Sequence, residues 1–408
     1  MHIARLMWYL PPLEHYDSKT LAYVTRLLGD EGPGSVTEAL RTHRGWVDEL
    51  VAGADTQPGL YTKVSVSLVL TDAGLAHVDE AVALVFAFLK VLRDAGPEKW
   101  RWDEAAALAQ LEWRYYKPDG GGMAPDLAGR LVAGRVGVCD LLRGPFAYRR
   151  FDELEIREAL ARLTPDRLLL YVSSPSFREA AGEPAAPWGA GRGPGGPDVD
   201  GTAAAEGTGG HWATEYYYGI QFKVSGFSRR SVDAWAGATA ASTGASLALP
   251  PPNAFLPSDF SIVPTPRSQQ RRDRVAPTPG LLLADGLGRT WLHSDSLFAQ
   301  PTASVQCTIL APAASGDARA YWATALLVAL STDALAEAAY PASAAGMDVG
   351  VGQGIEGLVV TASGWSDTVL RVLKLGASAL DPASIGAAAR AAGAKGTKGA
   401  AAGVAAAL

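Results

Sequence analysis

The side chains able to do chemistry are few and poorly spaced for it. Six histidines are present (His2, His15, His43, His77, His211 and His293), and none pairs as H-x-x-x-H. Cys139 and Cys307 form no C-x-x-C. Two thiols so far apart read as reduced, partly buried groups, not a zinc knuckle or a disulfide framework. The nearest approach to the inverted zinc motif H-x-x-E-H is His77-Val78-Asp79-Glu80-Ala81, which lacks the last ligand. His77 also falls on the polar side of a helical pattern, so a solvated helix face is the better reading. Gly34-Ser35 and Gly244-Ala245-Ser246 lack the flanks of a G-x-S-x-G nucleophile turn. Gly350-Val351-Gly352-Gln353-Gly354 has the look of a phosphate loop, but a strand pattern follows where such a loop needs a helix N-terminus; it reads as a hairpin turn. Arg271-Arg272-Asp273-Arg274 reads as a solvated loop, and Trp100, Trp102, Trp113, Tyr115 and Tyr116 as packing residues, not a nucleic-acid platform. Taken alone, these residues define no active site.

The elements that would position them are clearer. Ile3–Leu10 reads as a strand stopped by Pro11-Pro12. A helix follows over Ser18–Leu28, with Leu21, Val24 and Leu28 on one face and Gly29 ending it. After the turn Gly29–Ser35 a second helix runs through Leu40. Tyr61–Leu70 alternates polar and apolar side chains, as a half-buried strand does. Leu75, Val78, Val82, Val85, Phe88, Leu89 and Leu92 recur at spacings of three and four, predicting a helix over Thr71–Ala95 stopped by Gly96-Pro97. Further helices are expected at 99–115, 125–134 and 151–163, and a strand at Arg167–Ser173. A second unit begins near Leu249, with strands at Thr290–His293, Ala303–Leu310 and Gly357–Ser363 and helices at Ala318–Ala339 and Asp367–Ala379. This order predicts an α+β fold in each half, with helices laid on one face of a sheet.

Composition sets the outer limits. The chain has 408 residues, 48% hydrophobic and 19% charged, with a formal net charge of −6. That balance gives no global attraction to nucleic acid or to an anionic membrane. No apolar run approaches the length of a bilayer span and no signal peptide is evident, so a soluble, cytoplasmic protein is the expectation. Of the 45 glycines, 15 fall in two stretches, 178–213 and 381–408. Residues 178–213 are Gly, Pro and Ala without periodicity and are expected to be a disordered insertion. Residues 381–408 are an Ala/Gly-rich tail.

Several segments, taken in order, resemble the insulysin/pitrilysin family of inverzincin metallopeptidases. These are Gly29-Asp30-Glu31-Gly32-Pro33-Gly34-Ser35, Gly45-Trp46-Val47, Leu92 to Trp100, Ser174-Pro175-Ser176-Phe177 and Glu215 to Lys223. They continue with Asn253-Ala254-Phe255-Leu256-Pro257-Ser258-Asp259-Phe260, Asp295 to Pro301 and Gly346 to Gly364. The resemblance implies two related α+β domains, each a largely antiparallel sheet backed by helices, at 1–248 (the family's non-catalytic second domain) and 249–380 (its third, truncated). In that family zinc is held in the first domain by H-x-x-E-H and a later Glu, and peptides are enclosed in a chamber. No segment here matches that motif, so no catalytic residue, metal ligand or cofactor is assigned to this chain; zinc belongs to the intact family.

The implied function is the non-catalytic middle portion of a zinc metalloendopeptidase, inactive alone, supplying chamber wall and a substrate exosite. The alternative is a stand-alone peptide-binding or scaffold protein. The resemblance carries over a sheet edge that pairs with the N-terminal stretch of a peptide, at Gly29, Glu31, Leu50, Val51, Ala52 and Gly53. Glu31 would face a substrate ammonium. Ala52 stands where relatives have Gly, and Gly29 and Gly53 are equally readable as turn residues. Partners implied are peptides or small unfolded proteins, together with a catalytic domain or partner chain, and neither nucleic acid nor membrane.

Overall fold

The computed structural model describes residues 1–13, 15–57, 59–116, 122–134, 136–177, 212–215, 217–262, 279–294, 300–381, 383 and 386. They fall into two compact units that divide between Pro251 and Pro252.

Unit 1 is built on a four-stranded sheet. Strands β1 (His2–Leu10), β2 (Val47–Gln57), β3 (Tyr61–Leu70) and β4 (Leu169–Ser173) lie in the order β2-β3-β1-β4, every pairing antiparallel. The alternation in β3 does what its pattern predicts: Thr62, Val64, Val66, Leu68 and Leu70 are buried on one face. Ala4, Leu6, Trp8 and Leu10 of β1 are buried beside them. Helices α1 (Thr20–Leu28), α3 (Val78–Ala95) and α6 (Glu153–Arg162) contribute Val24, Leu28, Val82, Phe88, Leu89, Ile156 and Leu160 to the same core. The other sheet face carries exposed Tyr9, Val51, Leu169 and Tyr171. Buried indoles need a partner for their N–H, and each finds a backbone carbonyl: Trp8 donates to Thr164 (3.1 Å), Trp102 of α4 (Lys99–Arg114) to Ser18 (2.8 Å), and Trp235 to Asp79 (3.1 Å). Helix α5 (Met123–Ala133), the hairpin β5 (Trp212–Thr214)–β6 (Gln221–Lys223) and helices α7 (Arg229–Ala236) and α8 (Ala240–Thr243) complete this unit.

Unit 2 contains a three-stranded antiparallel sheet in the order β10 (Asp348–Gly354), β11 (Gly357–Trp365), β9 (Thr302–Leu310). Helices α9 (Ala318–Ala344) and α10 (Val369–Ser378) pack on it through Ala342, Val369 and Val372, with Met347 and Ala362 between. A separate hairpin joins β7 (Gly280–Ala284) to β8 (Arg289–Leu292). Asp367 ties the segment entering the unit: its Oδ2 accepts from the Ser258 and Asp259 N–H groups at 2.8 and 3.1 Å.

Several expectations are corrected. The helix expected over 71–95 breaks at His77 into α2 (Asp72–Ala76) and α3. Thr71 caps α2 by accepting from the Gly74 N–H, and Gly74 packs against the Trp46 carbonyl, which fixes a separate short turn. The second helix read through Leu40 is present but irregular and longer: Val36 and Thr37 are α-helical and Glu38–His43 continue as a π-helical turn. Gly350–Gly354 is strand β10, not a turn, and the turn lies at Ile355-Glu356. Cys139 and Cys307 are exposed, not partly buried, because one sits in a surface 3₁₀ turn and the other on edge strand β9. Helix α9 is long and apolar enough to cross a bilayer, contrary to the reading that no such run exists, although Thr324, Leu330, Ser331 and Leu335 are buried within the described residues. Residues 212 and 213, assigned to the insertion, belong to β5. The remaining insertion, 178–211, lies outside the described residues, as do 295–299 and almost all of the tail.

Candidate substrate-binding edge

Strand β2 was not evident in the sequence, yet it terminates the unit 1 sheet. It pairs with β3 on one side, and among the described residues no strand neighbours the backbone groups of its other side. A register irregularity between Val47 and Glu49 marks a bulge at Asp48. Beyond it Leu50 faces Leu68 and Ala52 faces Val66, on the helix-covered side, and Leu50 is buried. Val51 faces Ser67 and Gly53 faces Ser65 on the open side, where Val51 is half exposed. A methyl placed on Gly53 would touch nothing within 4 Å among the described residues. Gly53 is therefore a strand residue, whereas Gly29 is the residue that closes α1, its N–H returning to the Thr25 carbonyl.

The loop after α1 lies beside this strand. A methyl on Gly29 would meet the Ala52 Cβ at 3.5 Å. The structure thus brings Gly29 and Ala52 together and sets Leu50, Val51 and Gly53 along the same strand. Glu31 is held differently from the expectation of a waiting carboxylate: its Oε2 accepts from Arg41 Nη1 at 2.9 Å, an ion pair about one-third exposed. A substrate ammonium at Glu31 would have to share it with Arg41.

Asp30, which the sequence did not single out, folds back so that its Oδ1 accepts from the Gly32 N–H at 2.8 Å. Burial pushes its carboxyl up, opposed by that N–H and by Arg26. Gly34, with φ +83, accepts at its carbonyl from the Ala248 N–H (2.9 Å), and its own N–H donates to Glu38 Oε2 (2.6 Å). The entrance to β2 is braced by stacking: the Arg44 guanidinium lies 4.8 Å from the Trp46 ring centre, and His77 stacks on that ring at 4.6 Å and 11°. No spacing rule reveals Arg41 or this stack, because both depend on the irregular turn at 38–43.

The residues do not fit a zinc site. His77 Nδ1 lies 3.4 Å from Glu80 Oε1, both side chains are about half exposed, and the ring is committed to Trp46. Among the described residues no three His, Cys, Asp or Glu side chains gather as a metal site requires. The strongest charged cluster lies elsewhere in unit 1. Arg149 grips Asp140 at 2.7 and 2.6 Å while the Tyr16 hydroxyl also donates to Asp140, and together they hold that carboxyl down to about 2. Lys19, which donates to the Gly144 carbonyl at 2.8 Å, is lowered to about 8 by burial.

Two family models match the chain in succession, and the second runs across the division between the units. Residues 1–108 match the model of the peptidase M16 inactive domain, and residues 123–381 match that of the middle or third domain of peptidase M16. Insulin-degrading enzyme-like 2 of Arabidopsis thaliana is 26% identical over 374 residues, covering 91% of this chain and 34% of the relative. The insulin-degrading enzyme of Homo sapiens is 25% identical over 362 residues, covering 88% of this chain and 31% of the relative. The chain thus spans about a third of the length of these relatives. The crystal structure of pitrilysin superposes with a TM-score of 0.72 over 95% of this chain and 38% of its own, at 24% identity, a shared fold. With matches to two successive domain models, the second covering well over half of its length, the chain belongs to the M16 peptidase family.

Proposed function

We propose that this chain is a non-catalytic middle portion of a zinc metalloendopeptidase of the insulysin/pitrilysin type, and that unit 1 presents β2 to an extended peptide. The observation that carries this reading is the open edge of β2, with the loop at Gly29–Glu31 beside it. An added strand exchanges N–H···O=C bonds with that edge, each worth about 0.5–1.5 kcal/mol net. The sheet face bearing Tyr9, Val51, Leu169 and Tyr171 then serves as wall beside the bound peptide. Peptide hydrolysis itself would come from zinc held by another part of a longer protein or by a partner chain.

The test uses the full chain and a fluorescent peptide. Binding should be saturable and should be lost when alternate backbone nitrogens of the peptide are methylated, because methylation removes the donors that face β2. The chain alone should cleave nothing. Binding indifferent to N-methylation would contradict the edge reading, and chelator-sensitive cleavage by the purified chain would contradict its assignment as non-catalytic.

A further inference from the structure

The charges along β2 go beyond a generic peptide edge. We propose that the β2 edge selects an extended peptide carrying a large side chain and, four residues toward its C-terminus, a Lys or Arg. This inference rests on the strand-pairing reading above. An added strand continues the sheet, and all three existing pairings are antiparallel, so the peptide is placed antiparallel to β2. Glu49, Val51, Gly53 and Asp55 share the open face of β2. Peptide residues opposite Gly53 and then Glu49 are therefore four apart and point to that face.

The two positions differ in what they offer. At Gly53 the face has a gap, with nothing among the described residues within 4 Å of the place a Cβ would occupy and half-exposed Val51 next along that face of the strand. A bulky side chain fills that gap. Glu49 and Asp48 are both exposed, and no side-chain hydrogen bond or ion pair engages either carboxylate among the described residues. Every charged side chain of β2 is acidic: Asp48, Glu49 and Asp55. Cations do exist on the same face, at Lys63 opposite Asp55 and at Arg5, whose Nε donates to Ser67 Oγ at 3.0 Å.

Distance decides between them. A side chain directly opposite Glu49 sits about 5 Å from it, whereas Lys63 on β3 is one strand further away and Arg5 on β1 two strands further. At about 4.8 Å per strand, those cations stand near or beyond the roughly 10 Å screening length at 0.1 M salt. The nearest charge is acidic, so a basic peptide residue is favoured.

The experiment compares four peptides of one length by anisotropy with the full chain. One carries Trp-x-x-x-Lys, one Trp-x-x-x-Glu, one the reversed order Lys-x-x-x-Trp, and one Ala at both positions. The Lys peptide should bind about two- to fivefold tighter than the Glu peptide in 50 mM salt, as one exposed charge pair allows, and the gap should shrink in 500 mM salt. Glu49→Gln should abolish that preference, and Gly53→Val should weaken the Trp peptides while sparing the Ala peptide. Equal binding of the reversed peptide, or a Lys-over-Glu preference unchanged in Glu49→Gln, overturns the selectivity while leaving the edge reading intact. If even the Ala peptide fails to bind, the edge reading falls and the selectivity with it.

Discussion

Gly74 gives the sharpest test of how β2 is held. Replacing a helical Gly with Ala ordinarily stabilises a protein by roughly 0.5–1 kcal/mol. Here the added Cβ would lie 1.9 Å from the Trp46 carbonyl oxygen and 2.8 Å from its carbon. An ordinary carbon–oxygen approach is about 3.3 Å or more, so something must move by more than about 1 Å. The carbonyl cannot swing away cheaply. It accepts from the Thr71 N–H at 3.0 Å, while Thr71 Oγ1 donates to the Gly45 carbonyl at 2.8 Å and accepts from the Gly74 N–H at 3.0 Å.

Loss of one or two of these bonds at about 1 kcal/mol each, plus an overpacking cost of about 1–3 kcal/mol, outweighs the helix gain. The net expectation is a loss of roughly 3 kcal/mol in Gly74→Ala. For a unit of this size that is a fall in Tm of roughly 6–12 °C. Gly53→Ala is the matched control, since its Cβ meets open space, and it should be neutral or slightly stabilising. Both are read by urea denaturation and thermal melts of the full chain. A Gly74→Ala variant as stable as the parent would refute this packing argument and the claim that the entrance to β2 is rigidly fixed.

Other outcomes follow from the same core and charges. Trp8→Ala empties a fully buried site packed edge-on against Phe86 and should cost about 3–5 kcal/mol by urea denaturation. Asp140 is held below its unfolded value, so its contribution is present above the ordinary carboxylate range and fades as pH falls toward about 2; Asp140→Asn should flatten that part of the acid limb. Lys19 is a base whose charged form the fold disfavours. Its folded value near 8 lies below the ordinary 10.5, so between these the unfolded chain holds the extra proton and stability rises with pH. Lys19→Met should remove that rise in unfolding midpoints measured from pH 7 to 10.5, and an unchanged slope would exclude burial of Lys19 as its origin.

The two units differ in how far their sequences announce them. In β3 every second residue is buried, and in α3 the apolar positions repeat at helical spacing, so both elements are legible without coordinates. Strand β2 is not, because the bulge at Asp48 shifts its alternation and its inward positions include small Ala52 and Ala54. The glycines of β10 read as a turn because nothing local favours a strand; pairing with β11 decides the matter. The candidate site was legible only through resemblance. The resemblance pointed to Gly29, Glu31 and residues 50–53, but not to the ion pair that Arg41 makes with Glu31, since that contact is created by an irregular turn.

Reception of a peptide by β2 is read directly by amide hydrogen exchange. With saturating peptide, the outward-facing amides of residues 49–55 should slow at least tenfold, while those of β4, at the opposite sheet edge, keep their free-state rates. Binding that protects β4 or unit 2 and leaves the β2 amides unchanged would contradict it.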